Sequence, residues 1–163
     1  MITIECQTGD NVIVNADTLE GIDLSGANLH RALLDGQNLR GANLAGANLR
    51  SAWLGTADLS DCDLSRAILF SCVARGAIFI RARLEQAVLS TGIFDGADLS
   101  NADLGGAKVG QATFKEAILR GADLRCEGLE RADLTGARAD HSTKWPDGFG
   151  PEAHGVIIRD EVA

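Results

Sequence analysis

One five-residue phrase recurs from residue 17 to residue 141, and it limits the possible folds more than any other feature of the chain. It reads Ala27-Asn28-Leu29, Ala42-Asn43-Leu44 and Ala57-Asp58-Leu59 early on, then Ala97-Asp98-Leu99, Ala122-Asp123-Leu124 and Ala132-Asp133-Leu134. With the large apolar residue as centre, the register runs from Leu19 to Ala139 in steps of five, giving 25 consecutive pentapeptides. Nearly every centre is Leu or Phe, with Ala74, Val109 and Ala139 as exceptions, and the residue two before it is nearly always Ala, Cys or Gly. A repeat this strict decides the architecture before any local propensity does.

A period of five suits neither ordinary element. On a helix it walks around the surface and builds no apolar stripe. On a flat strand an odd period sends successive centres to opposite faces. It suits a chain that turns a corner every five residues, pointing the centre and the small residue inward and the other three outward. Gly at Gly21, Gly26, Gly36, Gly41, Gly46, Gly76, Gly96, Gly121 and Gly136 falls where such a corner needs positive φ.

These residues resemble the pentapeptide repeat family, whose signature is A(D/N)LXX. The resemblance implies an all-β fold, a right-handed quadrilateral parallel β-helix with four pentapeptides per coil. About six coils follow, a rod of roughly 29 Å at ~4.8 Å per stacked strand. Three segments are expected: an N-terminal capping β segment over 1–16, the pentapeptide-repeat β-helix over 17–141, and a C-terminal cap and tail over 142–163.

The ends differ from the repeat. Ile2, Ile4 and Cys6, then Val12 and Val14, alternate with polar residues around Thr8-Gly9-Asp10-Asn11, which predicts a hairpin placed over Leu19 and Leu24. After Ala139 the segment Thr143-Lys144-Trp145-Pro146-Asp147-Gly148-Phe149-Gly150-Pro151 is rich in turn formers. It resembles a T-x-W-P-x-G-F-x-P tail of the family, and Trp145 and Phe149 are expected to cover the last apolar layer. Val156-Ile157-Ile158 predicts a short strand or a segment packed on one side. Gln37 and Glu127 fall on nominally inward positions, so distortion is expected at Glu127-Gly128. In this register Cys62 and Cys72 point inward and Cys126 outward.

Composition narrows the function. Net charge is −8, Tyr is absent, and 45% of residues are apolar. The charge opposes direct binding to nucleic acid or an anionic membrane. No run of eighteen apolar residues occurs, and Met1-Ile2-Thr3-Ile4-Glu5 lacks the basic and apolar regions of a signal peptide, so a cytoplasmic protein is expected. Four cysteines without CxxC or Cys/His spacing give neither a zinc site nor a disulfide framework. His30, His141 and His154 have no nucleophile or carboxylate at catalytic spacing, and no phosphate-binding or calcium-binding motif is present. No enzyme, cofactor or metal is expected.

Function then rests on the outward residues. Sorted on a twenty-residue coil, one column reads Leu33, Trp53, Val73, Ile93, Thr113, Asp133, and Ile68, Phe70 and Val88 lie beside it. Exposed apolar clusters mark contacts, so a protein partner or a homodimer is expected here, with Trp53 as anchor. The competing readings are cover by the C-terminal tail and β-propensity alone. A second column reads Asp23, Asn43, Asp63, Arg83, Asp103, Asp123, and Asp58, Asp61 and Asp98 extend its acidity. Some pentapeptide repeat proteins protect DNA gyrase as duplex mimics, so the resemblance makes a gyrase- or topoisomerase-binding DNA mimic the alternative. Against it, Asp before the centre belongs to the generic phrase and bonds nearby backbone. Arginines such as Arg66, Arg81 and Arg83 also break the field.

Overall fold

A computed structural model describes residues 1–160, so residues 161–163 of the expected tail lie outside the described residues. The chain winds as a parallel β-helix. Isolated parallel bridges join Asn28 to Asn48, Leu33 to Trp53, Asn38 to Asp58 and Asn43 to Asp63, a constant step of twenty residues. Four pentapeptides therefore complete one coil, and the molecule has four walls. The first wall carries the centres Leu19, Leu39 and Leu59, the second Leu24 and Leu44, the third Leu29 and Leu49, and the fourth Leu34 and Leu54.

Each coil bonds to the next through its main chain. The centre's N–H donates to the following coil (Leu24 to the Asn43 carbonyl, 2.7 Å), as does the corner N–H (Gly26 to the Ala45 carbonyl, 2.8 Å). The residue before the centre donates backward, Asn43 to the Ile22 carbonyl at 2.8 Å. A turn closed by a bond such as Ala32 N–H to Leu29 O, 3.1 Å, makes each corner, and its third residue has positive φ. Glycine was the expected occupant. Yet Arg31, Ser51, Thr56, Asp61, Arg66 and others adopt φ between 54° and 62° at the same position. The stacked backbone imposes a conformation that L residues disfavour.

Leu centres and small residues fill the shaft, nearly all of them inaccessible to solvent. Phe79 meets Phe94 edge-on at 5.9 Å, and Phe94 stacks on Phe114 at 5.2 Å. Gly92 makes room for that column: a Cβ there would lie 2.7 Å from the Phe94 ring and 2.9 Å from the Leu89 carbonyl.

The N-terminal segment forms the hairpin β1 (Ile2–Ile4) and β2 (Val12–Val14), with Ile2 opposite Val14. It docks on the first coil of the fourth wall, where Cys6 bridges Ala32 in antiparallel sense and Leu33 N–H donates to the Glu5 carbonyl at 2.7 Å. Leu19 and Leu24 are buried. Gln37 escapes to solvent, beside a crevice lined by Ile2, Ile4, Leu19 and Leu34.

One irregularity interrupts the winding. Lys108 bridges Glu127, nineteen residues on instead of twenty, and a 3-10 turn over Leu129–Arg131 follows. The slip corrects the expected orientation of Cys126, which is buried in the inward small position while Glu127 is exposed. Moving the chain by one residue exchanges a carboxylate for a thiol in the core, avoiding the desolvation of an unpaired charge. Gly128, at φ 81°, absorbs the change of path. Leu129 and Leu134 still fill the shaft.

Beyond the repeat, Lys144 bridges Asp123, and β3 (Arg138–Ala139) pairs in parallel with β4 (Ile157–Ile158). The tail thus extends the first wall. Trp145 and Phe149, stacked at 5.5 Å, pack partly buried against the core, and His154 lies on Phe149 at 4.4 Å. Among the described residues no helix is long and apolar enough to cross a membrane.

Candidate functional site

The coil places Leu33, Trp53, Val73 and Ile93 in one vertical column of the fourth wall, bridged each to the next through the backbone. The residue before each centre must point outward, so the four side chains stack above one another on the surface. Leu33 is 39% and Trp53 41% exposed, while Val73 and Ile93 are half-buried against their neighbours. Ile68 and Val88 form the matching column of the third wall, and Phe70 stands at the corner between, all half-buried. Among the described residues the tail does not cover this surface, because β4 joins the first wall.

The corners framing the fourth wall differ. The one shared with the third wall is bulky: His30, Arg31, Arg50, Ser51, Phe70 and Ser71 follow one another along the rod. The Arg50 guanidinium lies over the Phe70 ring at 5.2 Å, a contact that the twenty-residue spacing makes legible in retrospect. The opposite corner is lower, with a glycine at every level: Asp35-Gly36, Gly55-Thr56, Arg75-Gly76 and Asp95-Gly96. Trp53 and Val73, together with Gln7, His30, Arg31, Ser51 and Ser71, line a depression of about 290 Å³ beside the bulky corner.

Two charges on these corners were not singled out from the sequence. Arg31 donates to the neutral Gln7 Oε1 at 2.9 Å, and Asp35 accepts the Gly55 backbone N–H at 2.8 Å. Among the described residues neither forms an ion pair. They occupy the two sides of the wall in the same coil, Arg31 at the bulky corner and Asp35 at the low one. Only once the columns are laid side by side does that placement show.

The acidic residues are spread over two walls. Asp23, Asp63, Asp103 and Asp123 stand in the second-wall column, Asp58 and Asp98 on the first wall, and Asp61 at the corner between them. Most look back at their own chain. The carboxylates of Asp23, Asp58, Asp63, Asp98, Asp103 and Asp123 each accept the backbone N–H two residues on, at 2.8–3.2 Å. Arginines neutralise some of the carboxylates: Arg81 and Arg40 reach Asp61 at 2.7 and 3.2 Å, and Arg83 reaches Asp63 at 3.3 Å. The Arg81 hydrogen bond holds the Asp61 carboxyl below the usual range. The Arg125 side chain does the same for Asp123, down to about 2, with Lys144 also 3.6 Å away. At Asp63 burial pushes the other way and is outweighed by bonds from Ser65 and the Arg83 charge.

No cluster of three or more His, Cys, Asp or Glu side chains among the described residues is arranged to hold a metal ion. Burial pushes the Cys62, Cys72 and Cys126 thiols up to about 12, which leaves them protonated. A cleft of about 530 Å³ near the C-terminal end collects Asp98, Asn101, Arg120, Asp140 and Asp160, with His141 bonded to Asp160 at 2.6 Å. His141 and Asp160 are both strongly exposed.

The sequence profile described as pentapeptide repeats matches in eight copies, over residues 19–54, 57–96 and 93–125. Two solved structures of trypsin-treated QnrB1, each described as a plasmid-mediated fluoroquinolone resistance protein, are similar to the chain. One has a TM-score of 0.61 at 22% identity, covering 91% of this chain and 88% of the other. The second has a TM-score of 0.58 at 24% identity, covering 88% and 84%. HetL, a pentapeptide repeat protein involved in heterocyst differentiation regulation from the cyanobacterium Nostoc sp. strain PCC 7120, aligns with a TM-score of 0.37. Its identity is 25%, over 84% of this chain and 81% of HetL. No curated protein matches in sequence. At such identities the likeness to QnrB1 speaks for the fold.

Proposed function

The chain belongs to the pentapeptide repeat family, and from that premise we propose that it is a rigid, non-enzymatic scaffold whose fourth wall binds protein. The observation that carries this reading is the stacked column Leu33, Trp53, Val73, Ile93 on a surface that the described residues of the tail leave uncovered. A wall built on a continuous main-chain ladder presents its side chains preorganised, so little ordering entropy opposes binding. Trp53 is the anchor, and Ile68, Phe70 and Val88 enlarge the surface around the corner. Trp145 and Phe149 close the C-terminal end of the shaft, as β1 and β2 close the other. We place the protein in the cytoplasm, a reading supported by four free cysteines.

The test uses wild-type protein and Trp53→Glu as baits in an extract of the source cells. At least one protein retained by the wild type and lost by the variant is expected. Identical retained sets would remove the proposal.

The alternative is a duplex mimic that binds gyrase or another topoisomerase. Its support is the net charge of −8 and a fold shared with a fluoroquinolone resistance protein. Its weakness is that the carboxylates of Asp23, Asp58, Asp63, Asp98, Asp103 and Asp123 are committed to their own backbone, and arginines stand among them. A supercoiling assay with and without a quinolone decides it: inhibition or rescue at micromolar protein supports mimicry, and no effect dismisses it.

A further inference from the structure

Resting on the reading of the fourth wall as a contact surface, we propose that its occupant is a second copy of this chain, with the two rods side by side and parallel. Two fourth walls can meet about a two-fold axis in two ways. With the axis along the rods, each level faces the same level of the partner, and the bulky corner of one copy faces the low corner of the other. With the axis across the rods, the copies run antiparallel and each corner faces itself.

Shape favours the parallel arrangement. It sets the ridge of Arg31, Arg50 and Phe70 level by level against Asp35-Gly36, Gly55-Thr56 and Arg75-Gly76 of the other copy, and Trp53 meets its own copy near the axis. The antiparallel arrangement that matches the column on itself opposes ridge to ridge and low corner to low corner.

Charge favours it as well. Arg31 and Asp35, neither ion-paired among the described residues, share a level on opposite corners. A parallel pair brings Arg31 of each copy opposite Asp35 of the other, twice by symmetry. The antiparallel pair instead sets Asp35, twice, against Asp95, a carboxylate that Arg75 of its own chain already faces at 3.9 Å. Asp133, which the parallel arrangement brings near its own copy, is neutralised by Lys115 at 3.2 Å.

Introduced cysteines distinguish the two, because all four native thiols are buried. Val73→Cys and Thr113→Cys lie two levels apart on the column. A parallel pair cross-links each variant to itself under mild oxidation. An antiparallel pair centred between Trp53 and Val73 leaves Thr113→Cys monomeric, which overturns the proposal. Light scattering of the wild type is expected to give twice the monomer mass. Arg31→Asp and Asp35→Arg should each weaken the dimer about tenfold, and the double variant should restore it. Circular dichroism of each variant checks that the fold is intact. A wild type that stays monomeric overturns the proposal of a second copy, yet leaves the contact surface standing if capture in an extract still depends on Trp53. Loss of both sinks the two together.

Discussion

Thr56 shows how much a single residue concedes to the winding. It is β-branched and holds φ 54° at a corner where ten of its counterparts are glycine. That conformation costs L residues roughly 1–2 kcal/mol. Thr56→Gly is therefore expected to raise stability by about 1 kcal/mol, less the extra freedom glycine gives the unfolded chain. Denaturant titration would show it, and an unchanged or lowered midpoint would mean that side-chain contacts at the corner outweigh the strain. Gly92 presents the opposite case, with ordinary φ and no room. Gly92→Ala should destabilise by about 1–3 kcal/mol, because the new methyl meets both the Phe94 ring and the Leu89 carbonyl. Neither position announces itself in the repeat. Thr56 looks like a tolerated surface residue, and Gly92 looks like another small inward residue. The strain at one and the crowding at the other arise only when coils are stacked.

At the scale of one pentapeptide, the Asp or Asn before the centre acts as a local cap for the turn it precedes. Asp63 Oδ1 accepts the Ser65 backbone N–H at 2.9 Å and its hydroxyl at 2.6 Å. Asn43 makes the same backbone contact with Ala45 at 3.1 Å without a charge. Asp63→Asn should accordingly be near neutral, and Asp63→Ala should lose about 1 kcal/mol in equilibrium unfolding. Equal losses would show that the charge matters more than the acceptor. Acid sensitivity follows from the hydrogen bonds these carboxylates accept, from arginine side chains as well as from the backbone. Carboxyls held low in the folded state stabilise it above their unfolded value of about 3.9 and stop doing so as pH falls through the folded one. For Asp123 that folded value is about 2, and Asp61 and Asp133 are also lowered. The unfolding midpoint should hold above pH 5 and drop between about pH 4 and 2, with a smaller drop for Asp123→Asn. A flat profile down to pH 2 would contradict these contacts. Much of this element was legible: the period set which residues face in, and alternation marked the hairpin of β1 and β2. Cys126 was misplaced because counting in fives cannot see a one-residue slip that Leu134 later recovers. The direction of the tail was hidden because Ile157 and Ile158 would suit any strand edge.

Across the whole molecule, contacts are local along the rod, so each coil is supported chiefly by its neighbours and the two ends need cover. The walls have different characters because residues twenty apart share a column, and sequence composition averages that difference away. The central claim is that the fourth wall is occupied in the cell, whether by a second copy or by another protein. Oxidative footprinting of the protein in a fresh extract, against the purified chain at nanomolar concentration, reads this directly. Trp53 and Leu33 are expected to be protected in the extract, while Ile157, 43% exposed on the first wall, keeps its reactivity. Equal oxidation of Trp53 in the two samples would contradict the account.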